Sequence, residues 1–401
     1  MSKQNVPELR FPGFSGEWDD DLFGSIVSNK SEKYAPNENE EVIDIELDSI
    51  ESNTGRLLHT YDSRTQKSQK NRFNEGDVLY SKLRPYLNKF YWPDFPGVCT
   101  SEIWVFSSKN DDKLKNQFIY YFIQTSRFGN MANKSAGSKM PRADWKLVEN
   151  IKFSYPKVEE QHKISDLLIK LDRLIELEVK KLELLEEQKK GYMQKIFSQE
   201  LRFKDENDNA YPEWEEEKLG NIATIHRGLT YKPSDISKDG VRVLRSSNIL
   251  DNTFYLRKDD IFVNEKKVKL SFVRKNDILI TAANGSPRLV GKHALINENI
   301  EKAVPGGFMY LMKSETPQFV QVWMKTLEYK KILTMVQGGN GSIGNLSRKD
   351  LENAKITLPI KEERKKIGEF FMHFEELGNK HKDRIRNLQK RKQSFLQNMF
   401  I

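Results

Sequence analysis

The chain has 401 residues, of which 37% are hydrophobic and 31% charged, and its 66 basic and 58 acidic side chains give a formal net charge of +8. This length suits two or three domains. No run approaches the roughly 18 apolar residues of a membrane span, and residues 1–10 contain no apolar signal core, so we expect a cytoplasmic protein. A single cysteine, Cys99, excludes both an internal disulfide framework and a thiolate zinc site within one chain.

Taken in chain order, residues 1–157 alternate short strand-like runs with turns rich in Gly, Asn, Asp and Pro. The runs lie at 42–47, 78–81 and 103–106, and one helical segment follows at about 112–128. This mixture predicts an α+β domain, which we call head one.

Residues 158–198 have a different pattern. Apolar residues recur from Ile164 to Ile196 at alternating steps of four and three, without an internal proline, as in a coiled-coil seam. A helix packed on a globular domain is the alternative, but four heptads of strict period favour the coiled coil. Glu178 and Lys189 interrupt the seam. Such polar positions either fix the register of the helices or carry a lysine that snorkels at a loose seam.

The second half of the chain repeats the first. Residues 199–360 predict a second head, head two, with strands at 241–244, 278–281 and 308–312 and a helix at about 317–335, and residues 361–401 predict a second long helix. The matched segments are 8–11 with 200–203, 17–26 with 213–222, 76–81 with 276–281, 140–145 with 346–351, and 156–161 with 359–364. Five matches in one order indicate a duplicated unit. The second seam is interrupted at the matching residues His381 and Lys392.

Two helices that each carry an apolar stripe most simply pair with each other. Antiparallel pairing would return the end of the second helix to head one, where Glu8–Phe11 can take the place that Glu200–Phe203 takes after the first helix. This predicts a cyclic, pseudo-twofold arrangement with similar heads at the ends of a rod about 60 Å long. Reading a two-part site on a DNA duplex is the natural use of such spacing.

Charge supports nucleic-acid binding only in part. Head one holds 22 basic and 22 acidic residues, and the basic surplus lies in head two and in the second helix, densest over 380–392. A solvated helix face is the ordinary explanation for that run. Balanced charge in head one means that DNA binding there must come from a local patch or from a partner.

No catalytic constellation emerges from the sequence. Gly285–His293 resembles a phosphate-binding loop but has a histidine where Ser or Thr must hold magnesium. The six histidines show no metal-ligand spacing. Glu265–Lys267 has the form of part of a nuclease site but no counterpart in head one. The functional alternatives are therefore a stand-alone nuclease or methyltransferase with a coiled coil, a two-headed scaffold, and a DNA-recognition protein.

The order of parts resembles the specificity subunit of type I restriction–modification systems over essentially the whole chain. The resemblance rests on Trp18 and Trp214 near the start of each head, on the helix entries 156–164 and 359–367, and on the paired helices. The second entry departs from the family's Glu-Gln pair, having Arg364 after the glutamate. The resemblance implies two target-recognition domains joined by an antiparallel coiled coil, each reading one half of an interrupted DNA sequence.

The same resemblance implies a non-catalytic subunit that recruits two methyltransferase subunits and two motor–nuclease subunits. This chain is then expected to bind no cofactor, whereas its partners use S-adenosylmethionine, ATP and magnesium. Base-reading residues cannot be transferred because specificity differs within the family, so the candidates are polar side chains on turns that can reach groove edges or phosphates. They are Lys82, Arg84, Tyr86, Lys139 and Arg142 in head one, and Arg227, Tyr231, Arg245, Asn248, Asn284, Arg288, Lys292 and Arg348 in head two.

For each candidate singly, a surface residue without a DNA contact is the alternative. The pair Arg142 and Arg348 is favoured because the repeat alignment matches them in loops rich in Gly and Ser. The alternative for this pair is a loop salt bridge to Asp144 and Asp350, respectively.

Overall fold

The structure is a computed structural model that describes residues 5–134, 139–336 and 344–401. The chain divides into two compact units, one formed by Met1–Lys180 with Lys382–Ile401 and the other by Lys181–His381. Each unit therefore contains one head and one half of each long helix. The helices are not separate from the heads because their side chains enter the head cores, as Ile164 and Leu168 do in the first unit.

The first unit contains eleven strands in its described part. They are β1 Asp19–Leu22, β2 Val27–Ser28, β3 Lys33–Tyr34, β4 Ile43–Ile45, β5 Tyr61–Asp62, β6 Lys70–Phe73, β7 Val78–Ser81, β8 Phe90–Tyr91, β9 Gly97–Thr100, β10 Ile103–Ser108 and β11 Lys152–Tyr155. Its helices are α1 Phe23–Ile26, α2 Asn116–Phe122, α3 Ser126–Ala132, α4 Trp145–Val148 and the first half of α5 Val158–Phe197.

These strands form three sheets, with the orders β3-β6-β9-β4-β5, β2-β10-β7-β8 and β1-β11. All the pairs are antiparallel except β4 with β9. Phe23 is fully buried, and its ring centroid lies 5.6 Å from those of Phe106, Phe122, Phe128 and Phe153. This aromatic cluster is the core on which the sheet β2-β10-β7-β8 and helices α2 and α3 pack.

The second unit repeats this plan with more strands. They are β12 Glu215–Lys218, β13 Ala223–Arg227, β14 Ile236–Ser237, β15 Val241–Leu244, β16 Ile249–Leu250, β17 Thr253–Phe254, β18 Ile261–Val263, β19 Ile278–Thr281, β20 Ala283–Asn284, β21 His293–Leu295, β22 Ala303–Pro305, β23 Met309–Ser314, β24 Gly344–Asn345 and β25 Lys355–Leu358. Its helices are α6 Leu219–Ile222, α7 Pro317–Trp323, α8 Leu327–Val336, α9 Arg348–Asn353 and the first part of α10 Lys361–Asn398, together with the end of α5.

The sheets of the second unit correspond to those of the first. The order β13-β23-β19-β21 matches β2-β10-β7-β8, the pair β12-β25 matches β1-β11, and β15 with β22 is again a parallel pair. The α+β fold and the internal repeat predicted from the sequence are thus confirmed.

The single helix predicted in each head is wrong, because each head has two helices there. In head one the break falls between α2 and α3 at Thr125, whose Oγ1 donates to the carbonyl of Phe122 at 2.7 Å and accepts from the amide of Phe128. In head two Thr326 Oγ1 donates to the carbonyl of Trp323 at 2.7 Å between α7 and α8. A hydroxyl that bonds to the backbone in this way competes with the helical hydrogen bonds.

The N-terminal segment of the first unit contacts the C-terminal end of α10. The amide of Leu9 donates to the carbonyl of Asn398 at 2.9 Å. Arg10 then forms a salt bridge of 2.7 Å with Glu160 at the start of α5, and the Glu160 side chain is almost fully buried. Leu9 and Arg10 therefore connect the end of α10 to the start of α5 in head one, as the cyclic arrangement predicts.

The second unit contains the matching junction without a chain break. The amide of Leu201 donates to the carbonyl of Lys195 near the end of α5 at 3.0 Å. Arg202 forms a salt bridge of 2.6 Å with the buried Glu363 near the start of α10. Glu8–Phe11 and Glu200–Phe203 thus hold equivalent places in their own units, which confirms the prediction from the repeat.

In the first unit α5 and α10 run antiparallel. Lys392 Nζ lies 2.6 Å from Asp172 Oδ1, and Arg384 lies 3.5 Å from Glu178, so positions ascend along one helix as they descend along the other. Tyr121 of head one donates its hydroxyl to the other carboxylate oxygen of Asp172 at 3.0 Å. Burial lowers the pKa of Lys392, and Asp172 opposes this by stabilising the charged form. Lys392 is thus paired across the seam and does not snorkel to water.

The second unit contains the equivalent pair, Lys189 with Glu375, at 2.7 Å. Lys325 of head two lies 2.6 Å from the same Glu375 oxygen. Burial opposes ionisation of Glu375, but the two lysines outweigh it and lower the pKa of Glu375 to about 2. The interruptions at Lys189 and Lys392 therefore link the two helices to each other, and the two carboxylates link them to their heads, which favours the register-fixing interpretation.

Candidate nucleic-acid interface

Three loop segments of head one meet where the paired strands β7 and β10 end and begin, respectively. The amide of Lys82, just after β7, donates to the carbonyl of Glu102 at 3.0 Å, and the amide of Ala143 donates to the carbonyl of Lys82 at 2.8 Å. The amide of Arg84 donates to the carbonyl of Pro141 at 2.8 Å. We call residues 82–89, 101–102 and 139–143 the head-one loop cluster.

All five candidates of head one lie in this cluster, although three strands and two α-helices separate Lys82 from Arg142 in the sequence. Arg84 has a left-handed backbone (φ 52°) and precedes a 3-10 turn at Pro85–Leu87, which presents Tyr86 with 58% of its surface exposed. The cluster contains five basic residues and one acidic residue. Head one, balanced overall, thus has a local basic patch.

Arg142 is the oriented cation of this patch. Its Nε and Nη2 lie 3.0 and 3.2 Å from the two carboxylate oxygens of Glu102. This pairing raises the pKa of Arg142, which is charged at every working pH. Asp144, the alternative partner, caps helix α4 by accepting the amide of Lys146 at 3.0 Å.

Head two brings together the equivalent loops and two more. The amides of Ala282 and Leu346 bond to the carbonyls of Phe308 and Ala282 at 2.8 and 2.7 Å, respectively. The amide of Gly228 donates to the carbonyl of Met309 at 3.0 Å, so the end of β13 joins the group. We call residues 227–231, 244–248, 282–292, 303–308 and 344–349 the head-two loop cluster. It contains six basic residues and no acidic residue.

The structure places all eight head-two candidates within this cluster, but their surroundings differ. Arg227, Arg288 and Arg348 are exposed, and Arg288 lies in the 3-10 turn Pro287–Leu289, the counterpart of Pro85–Leu87. Arg348 also pairs with Glu352 of its own helix at 3.5 Å. These three arginines are the side chains most available to a ligand.

Four further candidates are partly buried. Asn284 donates to Ser246 Oγ at 3.3 Å, and Lys292 Nζ donates to the carbonyl of Ile249 at 3.3 Å. Arg245 donates through Nη2 to the carbonyl of Asp259 at 3.0 Å. Tyr231 packs beside the small core of Val241, Val243, Val263 and Val304. Each of these side chains is anchored at one point in the fold.

Asn248 is fully buried, so its prediction as a base-reading residue is wrong. Its Oδ1 accepts the amide of Arg245 at 2.7 Å, and its Nδ2 donates to the carbonyl of Tyr255 and to Asp260 at 3.0 and 2.8 Å. The side-chain amide is therefore used in capping the 3-10 turn Ser246–Asn248. Asn248 was predicted because it is a polar residue on a turn. Residues that cap turns have the same two features.

The matching of Arg142 with Arg348 is also wrong. In head one Leu83 forms an isolated antiparallel β-bridge with Arg142, and in head two the matching residue Ala283 pairs with Asn345. The counterpart of Arg142 is therefore Asn345. Arg348 instead corresponds to Trp145, since both begin a helix after a capping residue. The pairing of Arg142 with Arg348 from the sequence repeat was therefore displaced by three residues.

Sequence reasoning missed two members of the clusters. Lys89 of head one donates to the carbonyl of Leu47 at 2.5 Å from the end of the loop 82–89. Phe308 of head two lies in the turn between β22 and β23, where the residue is 73% exposed. The candidates were chosen for hydrogen-bonding side chains, a criterion that excludes phenylalanine. Only the exposure seen in the structure distinguishes Phe308.

The alternatives based on catalysis gain nothing from the described residues. Glu265, in the triplet that resembles part of a nuclease site, forms a salt bridge of 2.8 Å with Lys302. No group of three or more His, Cys, Asp or Glu side chains that could hold a metal ion occurs in the described ranges. Within the same ranges, no helix has the length and apolarity required to cross a membrane.

Comparison with known proteins matches both halves of the chain. The family model for the type I restriction modification DNA specificity domain matches residues 20–187 and again 211–389. The MjaVIII specificity subunit of Methanocaldococcus jannaschii is 26% identical over 315 residues, which cover 74% of this chain and 72% of that protein. The EcoBI specificity subunit of Escherichia coli is 32% identical over 161 residues, covering 39% of this chain and 33% of that protein.

Solved structures show the same fold. The type I restriction–modification S subunit from M. genitalium superposes with a TM-score of 0.62 at 15% identity, over 99% of each chain. A chain from a study of complex assembly and conformational transition in the type I restriction–modification system gives a TM-score of 0.53 at 18% identity, over 94% of this chain and 96% of that one. The chain belongs to the type I restriction–modification DNA specificity family, and it is a DNA-recognition subunit rather than a catalytic one.

Proposed function

We propose that each head reads one half of a bipartite DNA target through its loop cluster and that the paired long helices set the gap between the halves. The observation that supports this most strongly is the equivalence of the two clusters. Both are built on the loop after β7 or β19, the turn before β10 or β23, and the segment before a short helix. Both are also rich in basic side chains. A duplicated fold that presents a basic loop cluster twice suits a target with two parts.

Within each cluster we assign different roles to the arginines and to the lysines. Arg142, whose Nε and Nη2 contact Glu102, and the exposed Arg288 can each present the Nη1–Nη2 end of the guanidinium to a guanine edge, the commonest specific contact in the major groove. The lysines Lys82 and Lys139 suit phosphates, which fix the position of the protein on the duplex. Neutralising phosphates makes affinity depend steeply on salt.

We propose partners and cofactors from family membership. The chain would recruit two methyltransferase subunits and two motor–nuclease subunits in the cytoplasm, and those partners would bind S-adenosylmethionine, ATP and magnesium. One solved structure with this fold comes from a study of complex assembly in a type I restriction–modification system, which supports a role within a larger complex. In this proposal the chain itself contributes recognition and spacing.

Exchange of one unit tests the independence of the heads. Residues 1–180 and 382–401 are replaced together by the equivalent parts of another family member, because Leu168, Leu396 and Phe400 lie in the core of head one and must match it. We expect one half-site of the methylated sequence to change while the other half-site stays the same. The reciprocal exchange of 181–381 should change only the other half-site. Methylation sequencing of cells that express each hybrid with the methyltransferase partner gives the result, and a change in both half-sites or in neither would refute independent reading.

A further inference from the structure

Phe308 has the most exposed large hydrophobic side chain within the described ranges, at 73%. It lies at the tip of the turn that connects β22 in one sheet to β23 in another, within the head-two loop cluster. It contributes to none of the hydrophobic cores found in the described part of head two. The described cores of head two are therefore complete without this ring, which leaves it free to contact a ligand.

The tip that carries Phe308 is held firmly. The amides of Ala282 and Ala283 both donate to the carbonyl of Phe308, at 2.8 and 3.1 Å, and the amide of Met309 donates to the carbonyl of Gly306 at 2.8 Å. The ring is thus presented from a fixed backbone position. A ligand that uses it meets a preorganised contact and does not have to order a flexible loop.

Neighbouring loops approach this tip too closely for a side chain. A Cβ on Gly228 would lie 1.9 Å from the carbonyl oxygen of Gly306, and the amide of Gly306 donates to the carbonyl of Leu244 at 2.8 Å. The segments around 228 and 244 therefore enclose the tip from two sides, and the pair Ala282–Ala283 borders it on a third. Gly307 and Phe308 stay exposed at this junction, whereas Gly306 and Met309 on either side of them are buried.

The chemistry around Phe308 indicates what it meets. The loops that surround it carry Arg227, Arg245, Arg288 and Arg348 with no acidic residue in the head-two loop cluster. Cations around an apolar flat ring complement a ligand that combines anionic groups with apolar faces, and a nucleic acid has phosphates outside and bases inside. The residue equivalent to Phe308 in head one, directly before β10, is Glu102, which orients Arg142. At this position head one thus has a carboxylate, whereas head two has an aromatic ring.

We propose that Phe308 packs against a base of the half-site that head two reads and that it helps to determine the sequence of that half-site. This inference rests on the proposed function. Apolar side chains discriminate bases by contact with the thymine methyl group and by inserting at a base step. Packing of an aromatic ring on a base is lost completely when the ring is removed, and its removal weakens binding by about tenfold or more.

The test compares Phe308→Ala with Leu327→Ala, which removes another exposed large apolar side chain of head two, in the full chain assembled with its methyltransferase subunits. Methylation sequencing with the unmodified chain first gives the bipartite target. We expect Phe308→Ala to bind the target duplex at least about tenfold more weakly at one fixed salt concentration. Its affinity for random duplex should be unchanged, and methylation should become relaxed at one or two adjacent positions of a single half-site. Leu327→Ala should behave as the unmodified complex does.

Three outcomes would overturn the inference. Unchanged target affinity and unchanged half-sites in Phe308→Ala would show that the ring meets no base. Failure of that variant to co-elute with the methyltransferase subunits would show that the ring contacts a protein partner. A lower urea midpoint than that of Leu327→Ala would show a structural role. Failure of the unmodified complex to recognise any bipartite target would instead refute the proposed function itself.

Discussion

Removing one heptad from each long helix should shorten the preferred gap in the DNA target by about three base pairs. The contacts Asp172–Lys392 and Lys189–Glu375 share one antiparallel register, in which residues 179–185 are the counterpart of residues 379–385. Deleting both segments removes seven residues from each helix, or about 10.5 Å. At about 3.4 Å per base pair, this corresponds to three base pairs.

The choice of heptad matters because the ends of both helices belong to head cores. Deleting 168–174 would remove Leu168 and Leu171 from the core of head one, whereas neither 179–185 nor 379–385 supplies a core side chain among the described residues. The seam keeps its alternating four and three spacing after a seven-residue deletion. Selection from a DNA library with a randomised gap measures the outcome. Recovery of the original gap, or of altered half-sites, would contradict the role of the helices as a ruler.

Replacing Glu375 by glutamine should destabilise the second unit by about 3 kcal/mol, because it leaves Lys189 and Lys325 half-buried beside a neutral group. The pKa of Glu375 is about 2 in the folded chain, below its ordinary 4.5, so the charged form is favoured by folding. The stabilisation that the Glu375 carboxylate contributes is then complete above pH 4.5 and is lost as the pH falls towards 2.

The control for this substitution is Glu376→Gln, which changes the neighbouring exposed glutamate. Urea unfolding at pH 7 should separate the two variants by about 3 kcal/mol, and by pH 3 the difference should be less than half as large, since the unfolded chain is by then protonated at this residue. A double variant that also carries Lys325→Met should lose less than the sum of the single losses. An equal difference at both pH values would show that packing, and not the ion pair, accounts for the effect.

The sequence predicted the elements that periodicity and repetition control. The two long helices run from Val158 to Phe197 and from Lys361 to Asn398, close to the predicted segments, because a seam of four heptads leaves little choice of boundary. The junctions at Leu9 and Leu201 followed from a repeated tetrapeptide. The salt-bridge partners of single polar residues could not be predicted from the sequence, since nothing in the local sequence places Lys392 beside Asp172.

The departure at Arg364 illustrates the same limit. Gln161, its counterpart in the first unit, donates to the carbonyls of Lys113 and Pro156 at 2.7 and 2.8 Å and accepts the amide of Lys115. Arg364 has the same place in the repeat, but its Nε and Nη1 are buried without a hydrogen-bond partner in the described chain. Burial lowers its pKa. The exchange of Gln for Arg therefore alters a buried network that sequence comparison alone reads as a mild change.

The candidate interface was predictable as a set of loops and not residue by residue. Twelve of the thirteen candidates lie at the surface or at its edge in the two clusters, because basic and amide side chains on turns rarely fold inwards. Asn248 is the exception, since a short amide caps a turn as readily as it reads a base. Phe308 could not be selected, because hydrophobic residues in a sequence are expected in the core until a structure shows otherwise.

Methylation sequencing of one host strain with and without this chain tests the central claim most directly. If two heads read two half-sites at a distance set by the helices, the strain with the chain should carry one methylated motif made of two short specific sequences separated by a gap of fixed length. That motif should vanish when only this chain is deleted and the methyltransferase subunit remains. A methylation pattern that is unchanged by the deletion, or a motif without a fixed gap, would contradict the account.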